Sequence, residues 1–393
     1  MLDPAYLRAR SVWAMALIVC VLTSPAGAQM ARHHYSERDL AVLPLWTVTA
    51  PDLTIGVLDG ADPYVFAGLG SIQALADGST AAANWSPPEI RIFDASGRHL
   101  RSLGRQGSGP GEWVQLVKLF RLGADSLATW DVVQGRGPIY AIDGGYGRQV
   151  SAPTDGRRVG VAGTFSDGTL LILASSFERD PDVTVLRAVY LHADGTGRVL
   201  DSIGAVPQTE MVLIPEIGYW TNRTFSAHGI GAAGPESVWM VDGSSPRLRQ
   251  VDRTGAPISE TTWDPGDRRV TRREIDLHWE QYEARGEDWV ASAQRRRHLP
   301  VEEEFPATGR LLVDADGLVW VQVNTRPSQP AERWLVADAT GRLIARVEAP
   351  EGFSLRDAAA GSAYGVGRDE WDVERLERRP IGKTAGNRPR RDR

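Results

Sequence analysis

The chain has 393 residues, of which 42% are hydrophobic and 24% charged, and its formal net charge is −6 at pH 7. A mildly acidic chain suits solubility and argues against nucleic acid as a partner, because that role needs a basic footprint. Cys20 is the only cysteine, so disulfides, thiolate metal sites and cysteine nucleophiles are excluded from everything that follows it.

At the N-terminus Arg8 and Arg10 precede a short apolar run, Ser11–Thr23, and Ala26-Gly27-Ala28 supplies small residues. This pattern predicts a signal peptide over residues 1–28, with export to the periplasm or the exterior after cleavage near Ala28. The apolar run is shorter than the ~20 residues a membrane span needs, so the chain is not expected to span one. Val19 is too bulky for lipid attachment at Cys20. Residues 29–380 are read as one domain, long enough to bury a core without covalent staples. The basic stretch 381–393 is read as a disordered tail.

The stretch Ile90–Trp113 sets the pattern for the rest. Ile90 and Ile92 alternate with polar residues, Asp94-Ala95-Ser96-Gly97 forms a turn, and Leu100 and Leu103 lie on the returning strand. Hairpins with the same Asp-x-x-Gly turn recur at Asp194–Gly197, Asp252–Gly255 and Asp338–Gly341, with a longer copy at Asp143–Gly147. Between them lie six apolar hairpins: Ile72–Asn84, Phe120–Val133, Gly163–Ser176, Gly229–Gly243, Gly309–Asn324 and Leu355–Asp369. Strict alternation of inner and outer hairpins predicts four-stranded antiparallel sheets stacked radially, an all-β, six-bladed β-propeller. The last unit lacks an outer hairpin, and Trp46–Leu58 is a strand-like segment to spare at the other end. It is expected to pair with the strand around Trp371–Glu377 and close the ring.

Where Phe93–Leu103 runs into Gly104–Trp113 (GRQGSGPGEW), the chain resembles the NHL-repeat-like six-bladed β-propellers of exported bacterial proteins. Leu312–Val321 (LVDADGLVWV) resembles the inner hairpin of the same group. The resemblance spans about Ile72 to Arg379 and implies a fold rather than an activity.

Asp267–Phe305 departs from the repeat. Thr271 and Glu274 are spaced as a capping box, with Glu274 reaching back, and Ile275, Trp279 and Tyr282 follow at helical spacing. A second short helix is expected over Glu287–Arg297. Together they predict a helical insertion between blades four and five.

Motifs for chemistry are few. The glycines of 104–111 have no following Lys-Ser or Lys-Thr and no helix to open, so they read as a turn and not a phosphate loop. Neither a Gly-x-Ser-x-Gly elbow nor a His-Glu-x-x-His pair occurs. Of the histidines, His228 alone stands where an inner strand begins. Trp239 and Trp320 fall at matching places after their inner turns and are expected to pack between blades. In a four-stranded blade the tight turns share one face, while the longer connections share the other. The variable loops should therefore converge on one mouth, which is where sites on rigid scaffolds are usually found. The candidates there are Trp113, Trp220, Arg223 and His228, with Trp279 and Tyr282 on the lid. The expected role is binding a small ligand or an envelope or extracellular protein. The alternative is a propeller-type lyase or lactonase-like hydrolase. No cofactor and no metal site is expected.

Overall fold

A computed structural model of the chain describes residues 30–151, 158–179, 183–214, 219–284, 286, 296–323 and 325–383. The expected leader, residues 384–393 of the tail and most of the second insertion helix lie outside these residues. The fold is all-β, with two α-helices among the described residues, Glu37–Val42 and Arg272–Glu283.

The turn chemistry read from the sequence is present atom for atom. Asp94 Oδ1 accepts from the Ser96 and Arg98 amides, both at 3.0 Å, and Gly97 takes the left-handed conformation at φ 85°. A side chain there would cost ~1–2 kcal/mol. Asp194, Asp252 and Asp338 repeat these bonds to residues two and four places on. Each such turn fixes the register of its hairpin.

The hairpins assemble into antiparallel sheets. Leu69–Ala74, Thr80–Asn84, Glu89–Phe93 and His99–Leu103 form the first, and Leu116–Leu122, Ser126–Asp131, Arg136–Ala141 and Tyr146–Ser151 the second. The third comprises Arg158–Thr164, Leu170–Arg179, Val183–Ala193, Val199–Ile214 and Tyr219–Asn222. The fourth comprises Ile230–Ala233, Val238–Val241, Arg247–Val251 and Pro257–Trp263, with Ala31–Tyr35 added in parallel at its outer edge. Arg105–Gln106 and Glu112–Trp113 pair in parallel as a two-stranded sheet, and the remaining strands form one nine-stranded sheet in two halves. Leu311–Val313, Val319–Val323, Arg333–Ala337 and Leu343–Glu348 make one half, and Ser354–Ala359, Ser362–Arg368 and Glu374–Lys383 the other. Leu45–Val48 joins them, pairing in parallel with Leu343–Glu348 and antiparallel with the end of Glu374–Lys383. Leu53–Ile55 pairs with the middle of Glu374–Lys383, Ile55 opposite Leu376.

Burial explains why the sheets stack as they do. Apolar side chains cluster between successive sheets: Ile90 and Leu103 of the first with Leu119 and Leu127 of the second, Ile139 and Val150 of the second with Val161 and Ile172 of the third. The series continues around to Tyr364 and Leu376, which pack on Ile72 and Phe93 of the first sheet. Innermost strands touch in sequence around the axis from Leu69–Ala74 to Leu311–Val313, and the Ala315 amide beyond the last bonds the Ala358 carbonyl at 3.2 Å. Leu69–Ala74 meets both its successor Leu116–Leu122 and the far-end strand Ser354–Ala359. A closed radial stack of this kind is a β-propeller.

Some local expectations are corrected. Trp371 lies in a loop, not a strand, and is 73% exposed. Ser176–Arg179 is strand rather than loop, because Leu170–Arg179 pairs along its whole length with Val183–Ala193. Thr271 caps its helix through the Glu274 amide, but Glu274 does not reach back. Its buried carboxylate turns outward to the Ser328 amide at 3.0 Å and to the Ser328 hydroxyl. Ile381–Lys383, assigned to the tail, continue the last strand. The sequence offered no signal for Ala31–Tyr35, whose neighbouring helix Glu37–Val42 carries a Ser36–Asp39 capping box.

Candidate functional site

Two cavities occupy opposite ends of the stack. The first lies at the mouth, where the connection 223–229 and the segment 301–306 run side by side. Main-chain bonds stitch them: the Thr224 amide donates to Pro300 and the Glu302 amide to Thr224, each at 3.0 Å. The cavity they enclose has a volume of about 600 Å³, and its lining includes Arg223, Phe225, Arg268, Glu302 and Phe305. Phe225 holds a left-handed φ of 66°, rare for a bulky residue. Its ring packs on Phe305 at 4.8 Å and on His278 at 5.0 Å. Trp279 and Tyr282 extend this aromatic group along the helix.

The cavity wall is acidic. Glu210, Asp242, Glu302, Glu303 and Glu304 face Arg223 and Arg268. Arg268 is paired with Glu304, and Asp242 is occupied by the Ser245 amide and hydroxyl at 2.7 and 2.6 Å. Arg223 stands 3.7 Å from Glu302, and its buried Nε has no hydrogen-bond partner. Burial pushes the Glu302 carboxyl above its ordinary range against the pull of Arg223, with Glu210 and Glu303 adding to the rise.

Of the four residues singled out from the sequence, Arg223 lines this cavity. His228 follows on the same connection, outside the lining, and is exposed. Surrounding protein holds its imidazole below the usual range, partly offset by a hydrogen bond to the Gln208 carbonyl. Trp220 sits in the outer strand Tyr219–Asn222, opposite Leu213. Trp113 is completely buried between the first two sheets, donating its indole N–H to Thr129 at 3.1 Å and packing on Tyr140 at 5.5 Å. Its ring lies against Gly104, leaving no room for a Cβ at that position. Trp279 is buried at 6% exposure and flanks a separate recess with Arg272 and Arg297.

The second cavity is axial, about 410 Å³, and every innermost strand contributes to it. Its wall reaches the inner turns at Gly123, Ser166, Pro235 and Ala315, so it lies toward the tight-turn end. Charges inside it went unnoticed in the sequence: Lys118 and Arg121 on one strand, Arg356 and Asp357 on another. Arg121 is paired with Asp357, whose carboxylate also accepts from the Ala74 amide at 2.9 Å. Burial pushes Asp357 above the usual carboxylate range, opposed by Arg121. Arg356 donates to the Gly70 carbonyl at 3.1 Å and to the Ser354 hydroxyl at 2.7 Å. Lys118 has no partner among the described residues. Lys118 is exposed as a residue, yet protein surrounds its ammonium, and this desolvation lowers its pKa. A signal was available: charged residues at 118 and 121 interrupt an innermost strand, LVKLFRL, that should be apolar.

No family model matches the chain and no curated protein does. Similar solved structures include an exported protein of Bacteroides fragilis at 11% identity, covering 91% of this chain and 100% of that one, TM-score 0.48. Virginiamycin B lyase from Staphylococcus aureus is 8% identical, with 84% and 98% covered and a TM-score of 0.41. Regucalcin, a calcium-binding protein of Agrobacterium tumefaciens, is 13% identical, with 88% and 97% covered and a TM-score of 0.39. The propeller assignment rests on strand order and inter-sheet packing. No described helix is long and apolar enough to cross a membrane.

Proposed function

We propose that this is an exported, six-bladed, NHL-repeat-like propeller that acts as a binding module for a small ligand or an envelope or extracellular protein. In this reading each radial sheet is a blade. Leu53–Ile55 completes the sixth blade, and the helix Arg272–Glu283 belongs to an insertion between blades four and five. Export rests on the charged-apolar-small pattern ending at Ala28. The observation that carries the binding role is the mouth cavity of about 600 Å³, within the size range of small-molecule sites. Arg223 supplies a guanidinium with an unused donor there, and the aromatic group around Phe225 supplies a rigid apolar wall. Trp220 and His228 flank the entrance, and Trp113 holds the neighbouring connection in place.

The test is a thermal-shift screen of small polar compounds on the mature chain, with each hit located by hydrogen exchange. Hits that protect residues 207–227 and 301–306, and whose shift is lost in Arg223→Ala, support the reading. Hits that protect only the axial strands, with Arg223→Ala unchanged, remove the site from the mouth.

A further inference from the structure

Among 44 basic residues the chain has only two lysines, Lys118 and Lys383. Lys383 ends the last described strand, with its ammonium 4.8 Å from the Trp46 ring centroid. Everywhere else the chain uses arginine for positive charge, and the exception inside the molecule is the one unpaired cation of the axial cavity. Arginine and lysine differ in a relevant way. Many guanidinium groups of this molecule are paired with carboxylates or bonded to carbonyls, whereas an ammonium is a compact point charge with three rotatable donors.

Geometry sets Lys118 and Arg356 at one level of the axis. The strand Leu69–Ala74 lies between theirs: Arg356 bonds the Gly70 carbonyl on one side, and Ser71 bonds the Leu119 carbonyl at 3.3 Å on the other. One level further along, Arg121 and Asp357 neutralise each other, with Arg121 also donating to the Ala74 carbonyl at 3.2 Å. The remaining carboxyl of the lining, Asp314, is turned away into a bond with the Trp320 indole at 2.8 Å. Among the described residues no carboxylate is paired with Lys118 or Arg356, Glu332 and Glu374 acting on Arg356 only through their charge. Both cations face a cavity into which Ser71 and Gln73 also project polar groups. Two like charges held in a walled space raise the local concentration of anions.

We propose that the axial cavity binds a small molecule bearing a carboxylate or phosphate, its oxyanion held between Lys118 and Arg356. The site is independent of the mouth cavity and stands or falls separately from it. Calorimetry of the mature chain with inorganic phosphate, and in parallel with citrate, tests it. One of the two anions binds with one-to-one stoichiometry. Lys118→Gln and Arg356→Gln each weaken that binding at least tenfold, while Lys118→Arg keeps it within threefold. A second measurement needs no variant: the bound anion slows acetylation of Lys118 by an amine-reactive ester, read by peptide mass, and leaves Lys383 unaffected. Absence of binding by both anions overturns the proposal. So does binding that the Gln variants leave unchanged, or equal labelling of Lys118 with and without anion.

Discussion

The two ends of the propeller are built differently. At the tight-turn end the same device is used again and again: Asp94, Asp194, Asp252 and Asp338 each close a turn with two backbone bonds and a Ser or Thr hydroxyl bond. The described connections at the mouth follow no such repeat, and apolar side chains stand in water, among them Leu58, Trp85, Val133 and Trp371. Regular turns carry short-range information and specify the fold. Irregular connections do not repay their cost in stability, and variation is concentrated there. The difference teaches that one end of this chain is fixed by a repeated turn device, while the other, where the proposed mouth site lies, is built without one.

Breaking the closure should have the largest effect. Without residues 30–58 the strands Glu374–Lys383 and Leu343–Glu348 each lose the partner on one edge, and buried Trp46, Val48 and Ile55 leave the core. The shortened chain is expected to run as large aggregates on size exclusion and to lose its cooperative melt, as unprotected edges do. A monomeric product with an unchanged melt would mean the ring is closed by other contacts. Trp113→Ala comes next. Although this residue belongs to a mouth-side connection, it is packed as core, and its removal should cost ~3–5 kcal/mol by chemical denaturation. A change under ~1 kcal/mol, the size expected of a surface residue, would return the indole to the recognition surface.

How much of this was legible follows from the same contrast. Asp-x-x-Gly turns and alternating strands announce themselves locally, so the radial sheets could be read from spacing. Ala31–Tyr35 could not be, since ARHHY carries no apolar alternation and is held as an added edge strand by Pro257–Trp263. Trp113 was misleading for a physical reason: a tryptophan in a glycine-rich connection looks exposed until Gly104 opens the space beneath its ring. Glu274 fits a capping box by spacing, but an external partner, Ser328, competes for it successfully. The axial charges required knowing that six separated strands share one wall, which spacing alone does not give.

Acid sharpens the comparison within one turn type. Asp94 and Asp314 hold the same place in an Asp-x-x-Gly turn. Asp94 is half-buried, and its bonds, led by the Ser96 hydroxyl, bring its pKa to about 2 from an ordinary 3.8. Its contribution is present above the unfolded value and is lost as pH falls through about 2. Asp314 is buried, and desolvation raises it to about 6 despite the Trp320 bond. Its contribution runs the other way: complete below 3.8, and lost as pH rises through about 6. Denaturation curves from about pH 2 to pH 7 should therefore show Asp94→Asn with a shallower acid limb than the parent. Asp314→Asn should lack the parent's decline between about pH 4 and pH 6. Parallel profiles for parent and both variants would show that neither turn is coupled to protonation.

The smallest effect is expected at the exposed tryptophans of the mouth. Trp371 is 73% and Trp85 55% exposed, and each sits between the second and third strands of its sheet. Ring burial that does not occur cannot be lost, so serine at either place should shift stability by no more than ~0.5 kcal/mol. The tight-turn end supplies the control, because Ser96→Ala there removes both a hydroxyl bond and a support for the Asp94 charge. If the mouth is free for recognition, the double variant Trp85→Ser, Trp371→Ser melts with the parent but elutes earlier from a hydrophobic-interaction column. A clear drop in melting temperature, with retention unchanged, would show instead that these rings pack on the scaffold and that the mouth, too, is architecture.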